Sequence, residues 1–286
     1  LGMTRSAAAT APACPLTGGP MAHWLRVPCD WRRPGHGAGY DLYWSARGRY
    51  GQLHPRPTPA EVAASYAVEY YTHGDAPPPA AGPSKRFPDR VREHLAWRAD
   101  FGTDLTARRL GELAAGRGSP AVLEIGCGGG ALLAELRAAG WEAVGVEPDP
   151  AARRAAAARG PEVHDGTAER PPDAVRGRAF DVVVMQHVLE HCLDPLAALR
   201  SAAALLKPAG VLVVETPNNE AAGCRAAGAA WPWLDVPRHL NFFTAHSLGL
   251  ACAAAGLAVT ATTYTGYTRQ FQPPWLDMER RIRASY

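Results

Sequence analysis

The segment Val122-Leu123-Glu124-Ile125-Gly126-Cys127-Gly128-Gly129-Gly130 constrains this chain more than any other. The run Ala121–Ile125, bounded by Pro and Gly, reads as a buried strand. The glycines behind it let the backbone adopt dihedrals that other residues avoid and let a ligand approach it closely. Ala131–Ala139 then has helical spacing, and the first turn of a helix carries N–H groups with no partner in the helix. Strand, glycine turn and helix together form a unit that meets a ligand at the strand's C-terminal end.

From here on strands and helices alternate. Ala143–Val146, Phe180–Met185, Val211–Glu215 and Leu257–Tyr264 have strand character, while Pro150–Arg159, Pro195–Leu206 and Ser247–Ala255 have helical character. Upstream, Val91, Leu95, Phe101, Leu105, Leu110 and Leu113 suggest one or two helices ending near Gly116. Such alternation predicts an α/β fold, a parallel sheet covered by helices on both faces.

Glu147 closes the second strand, 21 residues past Gly126. A carboxylate there suits the two ribose hydroxyls of a nucleoside. The loop also satisfies the dinucleotide pattern G-x-G-x-x-A through Gly126, Gly128 and Ala131. A tight turn with no ligand is the plainest alternative. Glu124 argues against a dinucleotide, because an acid two residues before the first glycine repels a pyrophosphate but can hold a cationic amino group. No second nucleotide-binding half follows.

On these residues, the segment 88–265 resembles class I S-adenosylmethionine-dependent methyltransferases of the Rossmann-like fold. Glu124-x-Gly126-x-Gly128-x-Gly130 looks like the family's first motif. Glu147, Asp165–Glu169, Phe180–Met185 running into Gln186-His187-Val188-Leu189-Glu190-His191, and Leu205–Gly210 follow in the family's order. The resemblance implies a seven-stranded, mostly parallel sheet with an antiparallel last strand and flanking helices. It implies S-adenosyl-L-methionine as cofactor, held by Glu124, Gly126, Gly128, Gly130, Glu147 and Gln186, with Thr167 and Ala168 beside the adenine. The family often has Asp where Thr167 stands.

The first 60 residues are rich in Pro, Gly and Trp and read as short strands and turns. Their layout is similar to that of sugar- and natural-product-cluster methyltransferases, which begin with a small zinc ribbon, then P-x-P-T and a Tyr-Tyr segment. The matching residues are Cys14-Pro15-Leu16-Thr17-Gly18, Ser45-Ala46-Arg47-Gly48 and His54-Pro55-Arg56-Pro57-Thr58. Thr17, Ser45 and Gly48 replace three of the four ligands, and a structural zinc needs all four. No metal is therefore expected, and Trp24, Trp31, Tyr40, Tyr43 and Trp44 should hold the segment by packing. Residues 1–85 are assigned to this degenerate ribbon-like segment, a short helix from Pro59 and a Pro-rich linker. Residues 86–286 are assigned to the methyltransferase domain. Leu1-Gly2-Met3 reads as a scar ahead of a start methionine.

Methyl transfer from a sulfonium is a direct displacement, so the protein must align acceptor and methyl and often accept a proton. The loops after the fourth and fifth strands are where the family builds its acceptor site. His187, Glu190 and His191 cluster after Phe180–Met185, although an HxxxH spacing is common by chance. After Glu215 comes a long connection with Trp231, Trp233, His239 and Phe242, too long for a bare link. His239, His187 and Glu190 are the candidate bases. Tyr71, Trp231, Trp233 and Phe242 are the candidate acceptor contacts, with core packing the alternative for the tryptophans.

The rest of the composition narrows the partners. A formal charge of +3 is too weak to argue for nucleic acid or an anionic membrane. Six scattered cysteines without a CxxC pair give no disulfide framework, so a reducing cytoplasm is expected. The expected function is O-methylation of a small molecule, a secondary metabolite or sugar. C- or N-methylation and a non-catalytic scaffold are the alternatives. The sequence leaves open whether copies associate.

Overall fold

The structure, a computed structural model, describes residues 11–34, 39–66, 91, 105–114 and 120–286. Three short strands come first: β1 (Ala22–Val27), β2 (Tyr40–Ser45) and β3 (Tyr50–His54). Thr58 then caps helix α1 (Pro59–Ser65), with Glu61 completing a reciprocal capping box. Helix α2 (Ala107–Leu113) precedes the alternating part. That part runs β4 (Ala121–Ile125), α3 (Ala131–Ala138), β5 (Glu142–Val146), α4 (Pro150–Ala158), β6 (Glu162–His164), β7 (Phe180–Gln186), α5 (Pro195–Ala204) and β8 (Leu206–Glu215). Asp149 and Asp194 cap α4 and α5, each followed by a proline at the first helical position. The chain closes with α6 (Ala222–Ala227), the two-residue β9 (Asn241–Phe242), α7 (Ala245–Ala254) and α8 (Pro273–Ser285).

Five strands form a parallel sheet in the order β6-β5-β4-β7-β8. Its centre is the apolar pair β4 and β7, in which Val122, Leu123, Val182, Val183, Val184 and Met185 are all fully buried. Residues this apolar along a whole strand belong where both faces are covered. Among the described residues the expected seven-stranded sheet is not formed: Leu257–Tyr264 makes no ladder, and Val259 and Tyr264 are 53% and 60% exposed. Those eight residues are mostly Ala and Thr, which offer little apolar area to bury against a neighbouring strand. The chain continues instead into α8, for which the sequence analysis had no expectation.

β1, β2 and β3 pair antiparallel, and β9 adds to them as the fourth strand. The strands of the first 60 residues thus share a sheet with the connection after β8. Asn241 ties this sheet to the parallel one. Its Nδ2 donates to the carbonyls of Leu189, Glu190 and Cys192, and its Oδ1 accepts from the Tyr50 hydroxyl at 2.6 Å. Arg56, just after β3, donates to the carbonyls of Cys192, Leu193 and Leu240. One apolar cluster accordingly runs from Cys14, Met21 and Tyr50 to Leu123, Met185 and Phe243.

Cys14, Thr17, Ser45 and Gly48 surround one point. A Cβ placed on Gly48 would lie 3.0 Å from Cys14 Sγ, 3.2 Å from Ser45 Oγ and 3.5 Å from Thr17 Cγ2. Ser45 Oγ accepts the Gly48 N–H at 3.0 Å. Trp24 and Trp44 lie 5.0 Å apart, with Phe242 5.9 Å from Trp24. Among the described residues no helix is long and apolar enough to cross a membrane.

Candidate active site

The cofactor end begins where β4 stops. Gly126, Gly128 and Gly130 have φ of +73°, +52° and +72°, a region that costs a residue with a Cβ about 1–2 kcal/mol. Space is closed as well: a Cβ on Gly126 would lie 2.5 Å from Cγ2 of Val188, and one on Gly130 2.8 Å from Cβ of Ala156. Gly130 caps α3 without a side chain, so no side chain of the cap takes up the helix's first N–H groups.

Glu147 follows β5 and is buried. Its carboxylate is fixed at the loop, accepting from the Gly128 N–H at 2.9 Å and the Asp149 N–H at 2.9 Å. Each oxygen keeps a further lone pair, which is what two ribose hydroxyls require. Glu124, inside β4, is also buried; burial, with the charge of Glu147 adding to it, pushes its carboxyl up to about 8. Its Oε2 has no hydrogen-bond partner among the described residues. A buried unsatisfied group costs about 1–3 kcal/mol, and a cationic amino group placed against it would remove that cost. An orphaned acid, a glycine cradle and a pre-set ribose acceptor together fit S-adenosylmethionine. Thr167 is exposed, with Oγ1 accepting from the Arg170 N–H at 3.2 Å, and Ala168 beside it is buried. Gln186, the last residue of β7, donates to Glu215 Oε2 at 2.8 Å.

The candidate bases begin on the turn after β7. His187 has φ +53°, a conformation that a residue other than glycine keeps only where its surroundings hold it. Its N–H donates to the Glu215 carbonyl, and its Nδ1 donates to Glu190 Oε1 at 3.2 Å. Nε2 faces Glu215 Oε1 at 3.6 Å, longer than a hydrogen bond. Trp233 stacks on the ring, 4.9 Å between centroids and 10° between planes. Burial pulls the His187 pKa down, but the bond to Glu190 and the charges of Glu190 and Glu215 outweigh it, leaving the pKa raised. Burial raises Glu190 in turn, and the bond from His187 with the charges of His191, His187 and His239 more than reverses this, holding it well below the usual carboxylate range. Its other oxygen accepts from the Thr216 hydroxyl at 3.0 Å.

His239 sits deeper. Its Nδ1 donates to the Trp233 carbonyl at 2.8 Å, which leaves Nε2 as an acceptor. Burial and the charge of His191 push it down to about 4. The His191 ring meets it edge-on at 4.6 Å, and His191 Nδ1 lies 2.7 Å from the Tyr66 hydroxyl and 3.1 Å from the Arg238 carbonyl. Glu190, His191 and His239 each bring one ligand atom to within 4.8 Å of the others. The histidine pair that converges is therefore 191 with 239, not the HxxxH pair 187 and 191.

The three candidate bases thus gather in one place, His187 on Glu190 directly and His239 through His191. Of the expected acceptor contacts, Trp233 reaches His187. Trp231 is buried in the cluster around Leu234 and Cys224, and Phe242 is fully buried beside Trp24. Tyr71 lies outside the described residues. Sequence reasoning missed Asp30, Arg56 and Thr216. Arg56 stood inside the quoted His-Pro-Arg-Pro-Thr, but nothing local to Asp30 marks it.

Residues 94–262, more than half of the chain, match a family described as a methyltransferase domain. The chain is 33% identical over 212 residues to a ubiquinone biosynthesis O-methyltransferase of Cereibacter sphaeroides, covering 70% of this chain and 82% of the relative. It is 36% identical over 148 residues to the protein of the same description from Ruegeria pomeroyi, covering 48% and 59%. Among solved structures, a methyltransferase from Thermotoga maritima described as a possible histamine N-methyltransferase is 26% identical, covers 59% of this chain and 76% of its own, and has a TM-score of 0.41.

Two measurements check the cofactor end. Glu147→Ala should weaken S-adenosylmethionine binding by about 1.5–3 kcal/mol, the range for a hydrogen bond to a charged group; calorimetry showing unchanged affinity rejects the ribose assignment. Below about pH 8 Glu124 is protonated, and a cationic amino group beside it favours the ionised form. Binding at neutral pH should therefore release a proton, and affinity should rise with pH up to about 8. Calorimetry in buffers of different ionisation enthalpy reads this directly. Glu124→Gln should abolish the release, and a release that persists in that variant assigns it elsewhere.

Proposed function

The chain belongs to the methyltransferase domain family and is an S-adenosylmethionine-dependent methyltransferase; on that premise we propose that it methylates a hydroxyl oxygen of a small molecule, with His187 as the base. The observation that carries the reading is the His187–Glu190 pair at the end of β7. A buried carboxylate on Nδ1 fixes the tautomer and strengthens the other ring nitrogen as a proton acceptor, the logic of a histidine–carboxylate pair in any nucleophilic site. S-adenosylmethionine, when bound, supplies an electrophilic methyl group on a sulfonium. Glu124, the glycine loop and Glu147 would hold it, with Ala168 offering its backbone N–H to the adenine. Nε2 of His187 would take the acceptor's hydroxyl proton, and the bound cofactor would give up its methyl to the oxygen, the S–CH3 bond breaking with its electron pair left on a neutral thioether. Trp233, flat against His187, covers one face of the imidazole. His239, first among the expected bases, is buried and engaged with Trp233 and His191, which makes it a supporting group here.

The names of the relatives favour oxygen as the methylated atom, and they point to ubiquinone biosynthesis rather than to the secondary metabolite or sugar expected from the N-terminal layout. Turnover should be measured with methyl-labelled cofactor against small hydroxylated aromatics, sugars and amines. His187→Ala should lower turnover on the hydroxylated acceptor by about 10²–10⁴-fold with cofactor affinity near that of the parent. Full turnover in that variant, or transfer to amines alone, rejects the reading.

A second reading rests on Glu190, His191 and His239. Two imidazoles and a carboxylate suit a divalent transition metal. The Nδ1 of each histidine also lies at hydrogen-bond distance from a backbone carbonyl, the outer support that metal-ligating histidines show. A cation there would lower the pKa of a bound hydroxyl without a protein base. Metal analysis showing one divalent ion per chain, lost with activity on chelation and absent in His239→Ala, supports this reading. Full turnover of metal-free protein rejects it.

A further inference from the structure

Arg238 is the largest fully buried side chain in the molecule as described, 0% exposed. All five of its N–H groups are used. Nε and one terminal N–H go to Asp235 Oδ1 at 3.1 and 2.9 Å, two go to Asp30 at 2.7 and 3.0 Å, and the last goes to the Ser65 carbonyl at 3.2 Å. Arg32 adds a bond from Nε to Asp235 at 2.9 Å. Asp30, Arg32 and Ser65 all precede residue 67, whereas Asp235 and Arg238 lie in the connection between β8 and β9. That connection also carries Trp233, which stacks on His187, and its Asp235 is held in the left-handed region at φ +30°.

We propose that Asp30 is a positioning residue for methyl transfer: its bidentate pair with Arg238 pins the connection across the end of β7, so that Trp233 lies flat on His187. The proposal rests on His187 being the base. Residues 231–240 make little regular structure of their own, one 3-10 turn at Pro232–Leu234. A connection of that kind needs outside contacts to hold one conformation. Asp30 supplies two of them on a guanidinium whose planar fork admits few other geometries. The effect on chemistry runs through the Trp233 ring, because Asp30 itself contacts Arg238 and not the imidazole.

The test is Asp30→Asn, which keeps the shape and removes the charge, with Asp30→Glu as the conservative variant. Three quantities are read on the full chain: turnover with a hydroxylated acceptor, cofactor affinity, and the ring-proton shift of His187, which stacking on an indole moves upfield. The expected result is a fall in turnover of about 10–10²-fold, the scale of a small misplacement. Cofactor affinity should hold, the His187 upfield shift should be lost in the Asn variant, and both should recover in part with Glu. Unchanged turnover and an unchanged His187 shift in folded Asp30→Asn overturn the proposal. So does a loss of cofactor affinity in step with turnover, the mark of general unfolding. Should Asp30→Asn fail to fold, Arg32→Gln removes one bond to Asp235 and leaves Arg238 paired with Asp30; a smaller change in the same two readouts supports the clamp, and none overturns it. The His187 shift needs no turnover, so failure of the clamp is distinguishable from failure of the base assignment, which His187→Ala tests alone.

Discussion

A guanidinium with no contact to water must be satisfied completely, and Arg238 is where this chain meets that demand. Removing a charge from water costs several kcal/mol even after the protein relaxes. Asp30 and Asp235 answer it from two segments 205 positions apart in the sequence (Asp30 and Asp235). Burial by itself would raise Asp235, and the Arg238 charge reverses that, so its pKa is lowered. The arrangement borders the candidate bases. The Arg238 carbonyl faces His191, the neighbouring residue is His239, and the connection ends in β9 beside β3.

The two halves of the site obey different physics. Around the glycine loop the polar groups on offer are mostly backbone, and side chains enter as the two acids Glu124 and Glu147. Glycine is required there twice over, for its dihedral and for the missing Cβ that would strike Val188 or Ala156. At the acceptor end the groups are side chains from three elements, and their protonation depends on each other. His187 gains proton affinity from the same Glu190 that loses it.

This difference explains how much could be read from the chain alone. Glu124, the three glycines and Glu147 were legible because a strand, a turn and the next strand place them by local geometry. His187, Glu190 and His239 were legible as residue types on strand-end loops, but not in their contacts or their burial. Which of them is exposed depends on how the connection after β8 folds back. The partnership of His191 with His239 spans 48 positions, and that of Asp30 with Arg238 spans 208, so no periodicity could announce either. The expected strand at Leu257–Tyr264 failed for a plainer reason. Its strand character was read from the residue pattern, but the side chains there lack the apolar area that would hold it against β8.

β9 is only two residues long, yet it joins strands from the first 60 residues to a segment nearly 190 positions later. Contacts of such high sequence separation form late, because the intervening loop must be closed before they return any stabilisation. During synthesis the N-terminal hairpins emerge first and have neither their fourth strand nor the guanidinium that neutralises Asp30. Both are supplied by residues 238–242. The glycine loop and Glu147 are made well before either, so synthesis delivers the glycine loop ahead of the connection that carries Trp233 and His239.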